Sequence, residues 1–201
     1  MENIYFSVDV EASGKDPQRF SMLSLGSCLV GRVEETFYRE IKPRDQEFQE
    51  RAMRIGCLGL RSLEEIGKRD WAYNPRYEIF NPIQVMSHLQ RQGEEAKDVM
   101  ENFKNWVIQK AEGKKPVFIS TPVKFDYTFV TRYFSLFTIQ NPFVEKQDPR
   151  ALYEELVRTK DLSIDQLGLD IKELEPSHNA LEDAVIQAKI FEKLLEFAKK
   201  K

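Results

Sequence analysis

The sequence predicts an α/β protein of one domain, and three observations carry that prediction. Residues Ile4-Tyr-Phe-Ser-Val-Asp-Val-Glu11 alternate apolar and polar with the period of a β-strand, and two further strand-like runs follow before residue 42. From Asn81 onward the apolar spacing changes to threes and fours, the period of a helix. Between two such helical stretches lies Pro116-Val-Phe-Ile-Ser120, a short apolar run fit for a buried parallel strand. The expected architecture is one α/β domain in which an antiparallel meander is joined by a parallel strand and helices.

The opening strand is expected to bury one face. Ile4, Phe6, Val8 and Val10 point to that side, while Tyr5, Ser7, Asp9 and Glu11 point to the other. Asp9 and Glu11 therefore sit side by side on one face. Two like charges so placed either mark a strand end that meets water or flank a cation. A hard divalent ion suits them, because Mg²⁺ takes oxygen ligands and needs only one or two carboxylates from a protein.

Met22–Val30 and Glu35–Ile41 read as the second and third strands, turning at Gly31-Arg32 and stopped by Pro43. Residues 44 to 81 carry no clear period. Gln46–Arg54 reads as a short helix broken by Gly56-Cys-Leu-Gly59, and Arg69–Tyr77 mixes aromatic rings with cations. That mixture is found both where single-stranded nucleic acid stacks and where protein subunits meet. Helices are then expected at Pro82–Gln90, Glu94–Ala111 with a stop at Gly113, Val123–Phe137, 149–158 and 163–167. The last runs from Ala180 to Ala198, with Leu181, Ala184, Val185, Ala188, Phe191 and Leu195 on its apolar face.

The whole 201-residue chain suits one domain, with 41% hydrophobic and 31% charged residues as in ordinary globular proteins. Its net charge of −3 argues against bulk attraction to nucleic acid or membrane, though not against a local site that meets a few phosphates. Cys28 and Cys57 lack metal-ligand spacing and read as reduced thiols. With no basic-then-apolar leader and no long apolar run, the expectation is a cytoplasmic protein that engages no membrane.

Two more acidic positions stand at helix starts. Asp126 opens the helix after the short parallel strand, in Lys124-Phe-Asp-Tyr127; it serves either the helix dipole or a site at the strand-to-helix junction. Ser177-His-Asn-Ala-Leu-Glu-Asp183 opens the last helix. Asn179 and Glu182 have the spacing of an N-cap and its reciprocal partner, which places His178 just outside the helix and Asp183 in its first turn. A histidine so placed is a cap, a surface residue or a catalyst. His88, the only other histidine, has no acidic constellation around it and reads as structural.

Taken together, Asp9-x-Glu11, Phe125-Asp126 and His178-x₄-Asp183 resemble the DEDDh group of 3'–5' exonucleases, which includes ribonuclease T and oligoribonuclease. The likeness extends to Val8-Asp-Val-Glu-Ala-Ser-Gly14 and Met22-Leu-Ser-Leu-Gly26, and leaves residues 44–81 poorly matched. Ala12 stands where the family commonly has Thr, and Pro122 where an Asn is common. The resemblance implies an RNase H-like mixed sheet with helices on both sides. It implies two Mg²⁺ or Mn²⁺ ions held by Asp9, Glu11, Asp126 and Asp183, with His178 as general base. The expected reaction removes nucleoside 5'-monophosphates from the 3' end of single-stranded DNA or RNA. The backbone around Ala12, Ser13 and Gly14, with stacking on the ring of Phe125, is the expected substrate contact. A homodimer is one expected arrangement, with Trp71–Tyr77 available to serve it. The alternatives are an exoribonuclease for short or structured RNA and a catalytically inactive nucleic-acid-binding module.

Overall fold

The computed structural model of the chain describes residues 2–160, 166 and 176–199. Among them are five strands: β1 (Asn3–Ala12), β2 (Met22–Leu29), β3 (Arg32–Glu40), β4 (Lys115–Ile119) and β5 (Glu145–Gln147). Their spatial order is β3-β2-β1-β4-β5. β1 to β3 form the antiparallel meander, while β4 pairs parallel with β1 and β5 parallel with β4. The mixed sheet expected from the sequence is therefore present, with β1 at its centre.

The central position of β1 corrects the expectation of a single buried face. Phe6, Val8 and Val10 pack into a core with Phe118 of β4, Phe103 of α4 (Ala96–Ala111) and Phe129 and Phe134 of α5 (Val123–Leu136). On the opposite side Tyr5 meets Phe191 of α7 (Ala180–Lys199) edge to face at 5.2 Å, beside Val117 and Ile119. Helices cover both faces, so the polar side of β1 lies beneath a helix and not in solvent. Alternation tells which side a residue faces, not what covers that side.

The remaining strand, β5, was absent from the expectation. Its three residues Glu145-Lys-Gln147 are polar and on the sheet edge, and they offer no apolar run to read. Residues 163–167, expected to be helical, fall outside the described residues apart from Gln166. The helix from 149 is present as α6 (Pro149–Lys160) and packs on α7 through Leu156 and Leu194.

The unreadable stretch holds short pieces: α1 (Glu50–Gly56), a 3₁₀ turn at Arg61–Leu63, α2 (Glu64–Arg69) and a 3₁₀ turn at Trp71–Tyr73, followed by α3 (Pro82–Gln92). Elements of one or two turns are too short to display a period. They nonetheless bury a cluster of their own, in which Met53, Leu60, Leu63, Phe80, Val85 and Leu89 gather around Leu23 of β2. α3 starts where the sequence signals it, with Asn81 Oδ1 accepting from Ile83 N and Gln84 N and Pro82 in the first turn. Trp71 and Tyr77 stack on one another at the surface, ring planes 4° apart. Cys28 and Cys57 are buried free thiols. No helix among the described residues is long and apolar enough to cross a membrane.

Candidate active site

The acidic residues meet at the C-terminal end of β1. Asp9 and Glu11 share one face there, and Asp126 arrives from the first turn of α5. The β1–β4 pairing ends at Ser7–Ile119, and beyond it the Val10 N–H donates to Asp126 Oδ1 at 3.1 Å. The Ser120 hydroxyl donates to the other oxygen, Asp126 Oδ2. A side chain thus stands where a sheet partner would be, and its position is tied to β1 itself.

Asp183 comes from the far end of the sequence, and two close backbone approaches set where it lands. Gly26 of β2 lies opposite Asp9 in the ladder, and a methyl group built on it would collide with the Ala180–Leu181 backbone. Likewise a methyl group on Gly59 would strike the His178–Asn179 backbone, and Asn179 Nδ2 donates to Gly59 O at 2.6 Å. The lack of a Cβ at both sites lets the first turn of α7 sit directly on the sheet beside Asp9.

Asn179 caps α7 as expected, its Oδ1 accepting from Leu181 N and Glu182 N at 3.1 and 3.2 Å. The reciprocal partner differs: the Asn179 N–H donates to Ser177 Oγ, and Glu182 is exposed. Asp183 in turn accepts from Ser177 N at 2.7 Å and His178 N at 3.0 Å. His178 is held there with a left-handed φ of 58°, a conformation of order 1 kcal/mol or more above the usual one. Carboxylate and histidine are therefore locked to one another through the backbone. Ligand atoms of Glu11, His178 and Asp183 all lie within 4.8 Å of one another.

Glu11, Asp126 and Asp183 are only 8%, 2% and 7% exposed, so their charges lack the solvation that usually stabilises them. Burial, followed by the neighbouring charges of Asp126, Glu11 and Asp183, raises the Asp9 carboxyl well above the usual range. Burial also raises Glu11, with Asp183 and Asp126 adding to it. Asp126 is pushed up to about 7 by burial, against the opposing hydrogen bonds from Ser120 and Val10. No Lys or Arg forms an ion pair with any of the four acids among the described residues. An all-oxygen cluster of this kind fits hard divalent cations, which would supply the missing countercharge.

Neither Gln187 nor Ser120 is among the site residues expected from the sequence. Gln187 Nε2 donates to Asp9 Oδ1 at 2.9 Å, while Gln187 Oε1 accepts from Thr121 N at 2.9 Å. It is four residues beyond Asp183 and so on the same helix face, which is the one signal that points to it. Ser120 has no such signal.

A cavity of about 530 Å³ opens over the acids, and Phe125 and His178 are part of its lining. Ala12, Ser13 and Gly14 are not part of that lining. Ser13 is fully buried and spends its hydrogen bonds internally. Its hydroxyl donates to Glu47 O and accepts from Ser21 N, its N–H donates to Ser21 O, and its carbonyl accepts from Gln49 N. The ring of Phe20 packs where a Gly14 side chain would be. The Ser13 side chain and the packing at Gly14 thus brace the end of β1.

The same fold occurs in exonuclease I. A zinc-bound exonuclease I–ssDNA complex from Escherichia coli superposes with a TM-score of 0.61 at 13% identity, over 100% of this chain and 42% of that one. A moderately thermophilic exonuclease I from Methylocaldum szegediense gives 0.62 at 12% identity, over 96% and 40%. The chain thus spans about two-fifths of the exonuclease I chains, and the likeness defines an exonuclease-type α/β fold. By sequence, the chain belongs to the 3'-5' exoribonuclease Rv2179c-like domain family, which matches residues 4–195 and runs through the 44–81 stretch. A curated relative, the 3'-5' DNA exonuclease Cap18 of Escherichia coli, is 27% identical over 213 aligned residues, covering 100% of this chain and 96% of the relative. The chain is accordingly an enzyme of the 3'–5' exonuclease class.

Proposed function

We propose that the chain is a DEDDh-type exonuclease that shortens single-stranded nucleic acid from its 3' end, one nucleoside 5'-monophosphate at a time. The observation that carries this reading is the convergence of Asp9, Glu11, Asp126 and Asp183 at one end of β1, with His178 anchored beside them. Two Mg²⁺ or Mn²⁺ ions, which these four carboxylates would hold, supply Lewis acidity and charge neutralisation at the scissile phosphate.

His178 takes the proton of the attacking water on its imidazole, the proton-transfer task a positioned histidine most often serves. Its backbone is fixed by Asp183, so the ring swings from a defined point at the cavity rim. The bond broken joins phosphorus to the 3'-oxygen of the preceding nucleotide, which leaves as the new 3'-hydroxyl after protonation. Phe125, half-buried against Phe129, offers a ring edge of the cavity to the terminal nucleotide.

DNA is the favoured strand, because the relative that matches end to end is a DNA exonuclease. A second reading, RNA trimming, is supported by the exoribonuclease description of the family. The test uses 5'-labelled single-stranded DNA and RNA of one sequence, with Mg²⁺, Mn²⁺ or EDTA, beside the Asp9→Ala variant. A metal-dependent ladder shortening from the 3' end, absent in the variant, is expected, and faster shortening of DNA than RNA. Faster RNA shortening transfers the assignment to the second reading. Binding of either strand without any shortening overturns the catalytic proposal.

A further inference from the structure

The cavity extends beyond what the acidic cluster needs. Along α7 it is lined from Asp183 through Ile190 to Leu194, twelve residues or about 16 Å of helix. The facing wall is α6, which contributes Arg150 and Tyr153. At about 530 Å³ the space is in the range of sites that enclose a small organic ligand, and its lining away from the acids is apolar apart from these two side chains.

Arg150 is held in place by a network that reaches Asp9. Its Nε and Nη2 donate to Asp148 Oδ1 and Oδ2 at 3.3 and 2.9 Å, a two-point grip that fixes the guanidinium plane. Asp148 also accepts from Val123 N and from Thr121 Oγ1, at 3.3 and 3.4 Å. Thr121 N donates to Gln187, and Gln187 donates to Asp9. Through these contacts the position of Arg150 is coupled to that of the acids. Its Nη1 makes no hydrogen bond among the described residues, which leaves donors for an anion.

Resting on the exonuclease reading above, we propose that Arg150 and Tyr153 form the subsite for the second nucleotide from the 3' end. Arg150 binds the phosphate next to the scissile one, and Tyr153 with Ile190, both only partly buried, receives the apolar face of that nucleotide. Arg150 and the acids line one cavity, so an anion gripped there belongs to the strand whose end the acids engage. The subsite makes the enzyme's affinity depend on a nucleotide it does not remove.

The test is a charge-deletion scan. Oligonucleotides with a 5' label carry an uncharged methylphosphonate at one of the last three linkages. Binding is read by anisotropy in the His178→Ala background, with and without Arg150→Ala. Arg150→Ala is expected to weaken the unmodified strand about tenfold to a hundredfold, as for loss of a charge-assisted hydrogen bond. A methylphosphonate at the second linkage from the 3' end should weaken binding to the Arg150 protein by a similar factor and leave the Arg150→Ala protein unaffected. Tyr153→Ala should weaken all strands equally. Equal methylphosphonate penalties with and without Arg150, or coupling only at another linkage, overturns the subsite. Arg150→Lys, which keeps the charge without the two-point grip, checks that folding is not the cause: it should melt as the parent does and retain part of the coupling. Trimming by the unmutated enzyme in the same buffers separates the two claims. If it trims but shows no coupling, only the subsite fails; if it neither trims nor binds, both fail.

Discussion

Gln187 Nε2 sits 2.9 Å from Asp9 Oδ1, joining the last helix of the chain to its first strand through a neutral amide placed beside a buried acid. The same side chain accepts from Thr121 N, so it spans β1 and the start of α5. Gln187→Ala should leave Asp9 without its donor and Thr121 N without its acceptor. The expected result is a loss of about 1–3 kcal/mol of stability from those unpaired groups. Trimming should fall at least tenfold, with a weaker response to Mn²⁺ in a titration. Unchanged metal response would place Gln187 outside the site.

His178 can be separated from the acids proposed to hold metal by measuring two quantities. In His178→Ala, kcat should drop by about 10²–10⁴, the usual contribution of a general base. Mn²⁺ binding, followed by calorimetry, should stay within a few-fold of the parent. Because His178 also lies within 4.8 Å of Glu11 and Asp183, a large loss of Mn²⁺ affinity would identify it as a ligand instead.

Stability should depend on pH in a direction set by the buried acids. Asp126 keeps its proton up to about 7 in the folded protein, against 3.8 ordinarily. Between those values the folded state binds more protons than the unfolded one, so stability falls as pH rises and the full penalty is present above 7. Asp9 and Glu11, raised mainly by burial, act in the same direction. Thermal melts in EDTA should show Tm declining from about pH 5 to pH 8, each unit of displacement being worth about 1.4 kcal/mol. Added Mn²⁺ should recover more Tm at pH 8 than at pH 5. A flat profile in EDTA would contradict the geometry of the cluster.

Gly26→Ala should be costly and Gly67→Ala should not. The first introduces a methyl group into the Ala180–Leu181 backbone, and about 3 kcal/mol of destabilisation is expected together with lost trimming as Asp183 is displaced. At Gly67, inside α2, the nearest atoms are 3.5 Å from the added methyl, an ordinary contact, and alanine is the better helix former. Denaturant melts of the two variants should move in opposite directions.

Ser13→Ala tests the assignment of this residue to the frame. Removing a hydroxyl that bridges Glu47 O and Ser21 N should lower stability by about 1–3 kcal/mol, and leave KM for oligonucleotides within twofold. A raised KM with unchanged melting would return Ser13 to the substrate.

The sequence by itself determined the class of fold, the order of the main elements and the identity of the acids. Alternation over residues 4 to 11 sets which side Asp9 and Glu11 share, and the Asn179 cap places Asp183 in the first turn of its helix; both are local consequences of backbone geometry. Tertiary structure decided the rest, because the rest depends on groups brought together from distant parts of the chain. That the polar face of β1 is roofed by α7 follows from packing at Gly26 and Phe191; the sequence puts Phe191 on the apolar face of its helix but does not say which face of the sheet it covers. Ser120 and Gln187 are ordinary polar residues until folding places them against Asp126 and Asp9, and Arg150 is one surface cation among many until Asp148 fixes it on the cavity wall. Ser13 shows the same dependence: its motif points to substrate, and only folding reveals that its side chain is buried and tied into the end of β1 by internal hydrogen bonds. Local pattern specifies which way a side chain faces; only the packed fold specifies what it faces.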